Sequence, residues 1–185
     1  MYRIFILIAV IFAVSVPGFA QFRDGARYEE LYDSETVVAF KRHVATLSAA
    51  HLEGRKAGSE GEKEAAEYVR ETLKSYGVDV LSPAGGDLFG VKTPQGDTLT
   101  SRNVIGFVQG YDKELRNQYV LAGARLDNLG SMTVTIDGQP VEKIFYGANG
   151  NASGLAVMLE LARMVQTQSL MFRRSVLFVA FGASM

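Results

Sequence analysis

Tyr119-Val-Leu-Ala-Gly-Ala-Arg-Leu-Asp-Asn-Leu-Gly130 decides how this chain is read. Its first six residues, Tyr119 to Ala124, carry no charge and are nearly continuously apolar, which is the pattern of a strand covered on both faces. A polar turn follows at once. Ligands of open α/β sheets gather at the carboxyl ends of such strands, so Arg125 and Asp127 are placed where chemistry is expected. Two further stretches share the plan. Tyr146-Gly-Ala-Asn-Gly-Asn-Ala-Ser-Gly154 leads into an amphipathic segment, and Phe181-Gly-Ala-Ser-Met185 closes the strongly apolar run that begins at Ser175.

Outward from these stretches the periodicity alternates between helix and strand. A helix is predicted from Ser34, with Val37, Phe40, Val44 and Leu47 as its buried stripe. Ser59-Glu-Gly-Glu62 has the spacing of a capping box and opens a second helix to about Tyr76, with Gly77 as its stop. Val78 to Leu81, Asn103 to Val108 and Tyr119 to Ala124 are strands. Residues 82–100 are a loop or hairpin, and Thr133 to Tyr146 folds back on itself around Asp137-Gly138. A third helix runs from Gly154 to about Gln168, capped by Asn151 or Ser153. Together these predict an α/β three-layer sandwich with a mixed, mainly parallel central sheet.

Composition sets the remaining bounds. The chain has 185 residues, 48% hydrophobic and 21% charged, with a formal net charge of −1. That is an ordinary globular balance, with no basic run for nucleic acid. Residues 1–20 read as a secretory signal: Arg3, an apolar run from Ile4 to Val16, and small residues at Gly18 and Ala20 before the cleavage point. The run is too short to span a bilayer comfortably. Residues 21–33 are a polar and aromatic lead-in, and 34–185 form the domain. The expected location is periplasmic or extracellular, with no membrane association after signal cleavage. With no cysteine, disulfides and thiolate ligands are excluded. His43 and His51, the only histidines, read as surface or helix-end residues, and Glu62, Glu64 and Glu67 as solvated acids. Asn151-Ala-Ser153 fits the glycosylation acceptor pattern.

The strand-end stretches, in this order and spacing, resemble the co-catalytic di-zinc aminopeptidases of metallopeptidase family twenty-eight, whose fold glutaminyl cyclases share. That family reads G-A-H-x-D-H-x-G, then G-A-D-D-N-A-S-G, then F-x-A-F-G-A-E-E. Gly54-Arg-Lys-Ala-Gly-Ser-Glu-Gly-Glu62 and Asn103-Val-Ile-Gly106 match upstream motifs. The resemblance runs from about residue 40 onward and implies a zinc exopeptidase fold.

The departures fall on the metal positions. Arg125 stands at a ligating histidine, Asn149 at the bridging aspartate, Ser184 at the general base and Met185 at a ligating glutamate. Asp127, at the position that orients the histidine, is retained. The family's remaining ligands lie further downstream, so the chain reads as the N-terminal part of such a domain, truncated. Zinc wants imidazole, thiolate or carboxylate donors, whereas Arg125 is cationic and offers only N–H groups. The expectation is a catalytically inactive domain without a bound cofactor, with a remaining role in binding peptides or protein N-termini or in scaffolding. An active zinc exopeptidase and a non-functional gene fragment are the alternatives.

Overall fold

The structure is a computed structural model and describes residues 34–184. The proposed signal segment, the lead-in and Met185 lie outside the described residues. None of the described helices is long and apolar enough to cross a membrane.

Helix α1 spans Glu35–Leu47 and α2 spans Glu60–Ser75. The start of α2 follows from its sequence, because Ser59 Oγ accepts from the Glu62 backbone N–H at 3.2 Å. The reciprocal half of a capping box is displaced by one residue: the Glu62 carboxylate accepts from the Gly58 N–H at 2.8 Å. Seven strands follow, β1 Asp79–Val80, β2 Asp87–Lys92, β3 Thr98–Val108, β4 Tyr119–Arg125, β5 Gly130–Ile136, β6 Gln139–Phe145 and β7 Ser175–Phe181. Helix α3, Ser153–Thr167, lies between β6 and β7. It begins at Ala152 without a side-chain cap, so neither Asn151 nor Ser153 has the capping role expected of it.

The main sheet runs β1-β3-β7-β4, with β2 on the other half of the long β3. It is mixed, as expected, but the expected parallel majority is absent. β1, β2 and β7 all pair antiparallel with β3, and only β4 and β7 run parallel. The reason is connectivity. β2 and β3 form a direct hairpin, while a parallel pair needs a long crossover, which α3 supplies between β4 and β7. β5 and β6 form a separate two-stranded hairpin.

Alternation along the strands sorts the residues of the sheet. Val104 and Val108 of β3, Ala124 of β4, and Val176, Phe178 and Ala180 of β7 join the core cluster with Leu73, Leu155 and Leu159 of the helices. Burying a side chain such as Phe178 fully contributes about 1.5–3 kcal/mol. α2 packs on β3, α3 packs on β4 and β7, and α1 and α2 both pack on α3. Helices that touch one another share one side of the sheet, so the expected third layer is not seen among the described residues. Tyr119, Leu121 and Phe181 are correspondingly exposed.

The buried face of α1 differs from the predicted stripe. Ala39, His43 and Leu47 are buried, whereas Val37, Phe40 and Val44 are only partly covered. His43 is therefore a core residue rather than a surface one, made soluble in the interior by hydrogen bonds to two tyrosine hydroxyls. His51 is exposed, as predicted, beside Glu64 at 3.7 Å.

Candidate functional site at the strand ends

Because β4 and β7 run parallel, their carboxyl ends open at the same edge, and the chain beyond each turns back across the other. The Leu126 N–H donates to the Phe181 carbonyl at 2.7 Å. Asp127 is fully buried, and its Oδ1 accepts from the Ser184 N–H at 3.0 Å and from the Ser184 hydroxyl at 2.6 Å. The two positions that sequence singled out as orienting and general-base residues are thus brought into direct contact. Arg125 ends β4, partly buried, in register with Phe181. Asn149 lies exposed on the loop before α3. Met185 lies outside the described residues.

Arg55 was not singled out by sequence reasoning, although it stands in the matched Gly54–Glu62 motif. It is completely buried and hydrogen-bonds to several main-chain carbonyls at this edge. Its Nε donates to the Leu126 carbonyl at 3.1 Å, one terminal nitrogen donates to the Leu47 carbonyl and, at 3.0 Å, to that of Tyr146, and the other donates to the Gly147 carbonyl at 3.1 Å. One planar guanidinium thereby ties the end of α1 to the turn carrying Asp127 and to the loop carrying Asn149. Burial pulls its pKa down to about 10, and the Asp127 carboxylate pushes the other way. It remains a cation at neutral pH. The backbone of the same loop adds a second tie, with the Asn128 N–H donating to the Arg55 carbonyl at 3.0 Å.

Glu62 corrects a second expectation. It is not a solvated acid but fully buried, accepting from the Ser101 hydroxyl at 2.5 Å as well as from Gly58, with Arg102 Nε 3.8 Å away. Glu64, on the outer face of α2, is exposed as predicted, and Glu67 is partly covered. The signal that separates Glu62 from them is position: it is the last residue of the matched motif and sits in the first turn of α2, facing the sheet. The turn after β7 rests against it. Gly182 lies so close to Ser101 Oγ, the Arg102 carbonyl and Glu62 that a Cβ has no room there, and its N–H donates to Asn103 Oδ1 at 3.0 Å.

Burial raises the Glu62 pKa above its ordinary value of 4.5; the Ser101 and Gly58 hydrogen bonds and Arg102 oppose this, and the nearby Asp127 charge adds to it. A carboxyl with a raised folded-state pKa contributes stability below its unfolded pKa and loses it as pH rises through the folded value. The stability difference between the native chain and Glu62→Gln should therefore shift against the native chain as pH rises above 4.5. Urea midpoints of both proteins between pH 4.5 and 7 measure it; a difference that is flat or moves the other way contradicts the assignment.

The donor set at these positions does not suit a zinc ion. Arg125 offers N–H donors and a positive charge, Asn149 a neutral amide, and Ser184 a hydroxyl that is already donating to Asp127. Among the described residues, no group of three or more His, Cys, Asp and Glu side chains is arranged to hold a metal ion.

Residues 103–183 match the family model of peptidase family M28. No curated protein matches the chain. Among solved structures it is similar to a Zn-dependent exopeptidase from Parabacteroides distasonis, at 20% identity and a TM-score of 0.58, over 79% of this chain and 46% of that one. Porphyromonas gingivalis glutaminyl cyclase is similar at 23% identity and a TM-score of 0.58, again over 79% and 46%. A leucine aminopeptidase precursor from Bacteroides thetaiotaomicron is similar at 19% identity and a TM-score of 0.56, over 79% and 46%. The chain thus spans less than half the length of each of these structures. The α/β fold is that of the zinc exopeptidases and glutaminyl cyclases, as the sequence motifs implied.

Proposed function

We propose, from a chain whose residues 103–183 match peptidase family M28, that this is an exported exopeptidase-like domain that does not hydrolyse peptides. Its strand-end edge remains as a place to bind peptides or protein N-termini. The observation that carries the reading is the Asp127–Ser184 pair. A carboxylate whose oxygen is occupied by a hydroxyl and a backbone N–H at 2.6 and 3.0 Å is internally satisfied. The hydroxyl that replaces a general base is donating a proton rather than accepting one, and a serine hydroxyl is a poor base at neutral pH. Zinc hydrolases need the metal both to polarise the carbonyl and to generate hydroxide, and the residues at the ligand positions supply neither the charge nor the donors for it. Export rests on the signal-like residues 1–20.

Metal analysis of the purified chain, followed by aminoacyl p-nitroanilide assays with and without added zinc, tests this directly. The expected result is less than stoichiometric zinc and no hydrolysis above buffer in either condition. Two zinc ions per chain together with zinc-dependent turnover would replace this reading by the active exopeptidase.

A further inference from the structure

The inner face of α1 carries a hydrogen-bonded chain that the strand-end site does not use. His43 is 1% exposed. Its Nδ1 is 2.7 Å from the Tyr68 hydroxyl on α2, and its Nε2 is 2.9 Å from the Tyr76 hydroxyl just beyond α2. The Tyr76 hydroxyl donates to Glu160 Oε1 on α3 at 3.2 Å, and Glu160 Oε2 accepts from Arg163 at 2.9 Å. Arg163 in turn donates to Thr36 Oγ1 at 3.0 Å, back on α1. The donors fix the direction. Tyr76 spends its proton on Glu160, so its oxygen accepts from His43 Nε2–H. In the neutral ring that burial favours, Nδ1 is then the bare nitrogen and accepts from Tyr68. Neutral His43 in this one tautomer completes a circuit that joins all three helices.

We propose that His43 is an acid-sensitive latch holding α1 against α2 and α3, and that its protonation releases α1. A second proton must go to Nδ1. Tyr68 then has to turn its hydroxyl away, and a cation is left in the interior. The other groups facing the ring are Arg42 on α1, Tyr68 on α2, Tyr76 just beyond it, and Glu160 on α3, whose Oε1 lies 3.4 Å from Nε2; Glu160 is also paired with Arg163, which lies 3.9 Å from Glu35. Burial lowers the His43 pKa below its ordinary 6.5, Arg42 adds to this, and Glu160 opposes both without reversing the shift. The sign follows. The docked helix binds the proton less tightly than the released one, so docking is complete above pH 6.5 and weakens as pH falls below it. Among the described contacts of α1, Ala39, Leu47, the Thr36–Arg163 bond and the Arg55 contact to the Leu47 carbonyl involve no group that titrates in this range.

The test is amide hydrogen exchange on the full chain between pH 7.5 and 5.5, corrected for intrinsic rates. Amides of α1 should lose protection by up to about tenfold per pH unit below 6.5, the limit for uptake of one proton, while those of β3 and β7 hold theirs. In His43→Gln, α1 protection should not change with pH. Wild-type α1 protection that is independent of pH, or an equal loss in the variant, overturns the latch. If His43→Gln does not fold, an NMR titration of the wild-type ring decides: a midpoint below 6.5 supports the proposal and one at or above it refutes it.

Discussion

Replacing Arg55 by Met is expected to lower the unfolding free energy by about 3–5 kcal/mol, the range for removing one member of a buried charged network. Four main-chain carbonyls, those of Leu47, Leu126, Tyr146 and Gly147, lose a charged donor in one step. Each buried carbonyl left without a partner costs about 1–3 kcal/mol. The full sum is not reached because Tyr146 is exposed and water can serve its carbonyl. Arg55→Lys should not restore the loss. A single ammonium tip cannot reach carbonyls fanned around a planar fork. Urea unfolding of the native chain and both variants is the measurement, read as a shift of midpoint at constant slope. A loss below about 1 kcal/mol would mean that Arg55 is replaceable and that the loops are positioned by other contacts.

Asp127→Ala is expected to cost about 3 kcal/mol, again measured by urea unfolding. Ser184 loses the acceptor for both its N–H and its hydroxyl, and Arg55 loses the carboxylate that offsets its burial. Asp127→Asn keeps an acceptor oxygen and should cost less than the alanine change. Because Arg55 and Asp127 feel each other, the double replacement should fall short of the sum of the singles by at least about 0.5 kcal/mol. Strict additivity would show the two groups to be independent. Loss of a few kcal/mol matters at this scale, since whole domains are stable by only about 5–15 kcal/mol.

Most strands were legible because alternation and apolar runs are local, although β2 and the start of β3 lie in residues 82–100, which read only as a loop or hairpin. Tyr119 to Arg125 and Ser175 to Phe181 appear within a residue or so of their predicted bounds. The direction of pairing was not. Nothing in the run Asn103 to Val108 says that β7 will lie beside it antiparallel; that depends on which strand α3 returns the chain to. The site was half legible. Asp127 and Ser184 were marked by their motifs and do meet. Arg55 and Glu62 were passed over because a charged side chain in a helix-opening loop is usually solvated. Their burial depends on carbonyls and hydroxyls from Leu126, Tyr146 and Ser101, residues distant in sequence. His43 was misread for the same reason, since its partners Tyr68, Tyr76 and Glu160 come from two other helices.

β7 lies between β3 and β4, and this fixes the order in which the sheet can form. A growing chain folds from its N-terminal side first. β2 and β3 can close their hairpin at once, but Val104 must wait for Ala180, and among the described strands Leu121 of β4 pairs only with Leu177. β7 is therefore inserted between two strands that precede it in the chain. Until it is in place, the apolar run at 119–124 is an open template for any strand that reaches it, which makes the interval before β7 emerges the period in which this chain most needs to be kept from its neighbours.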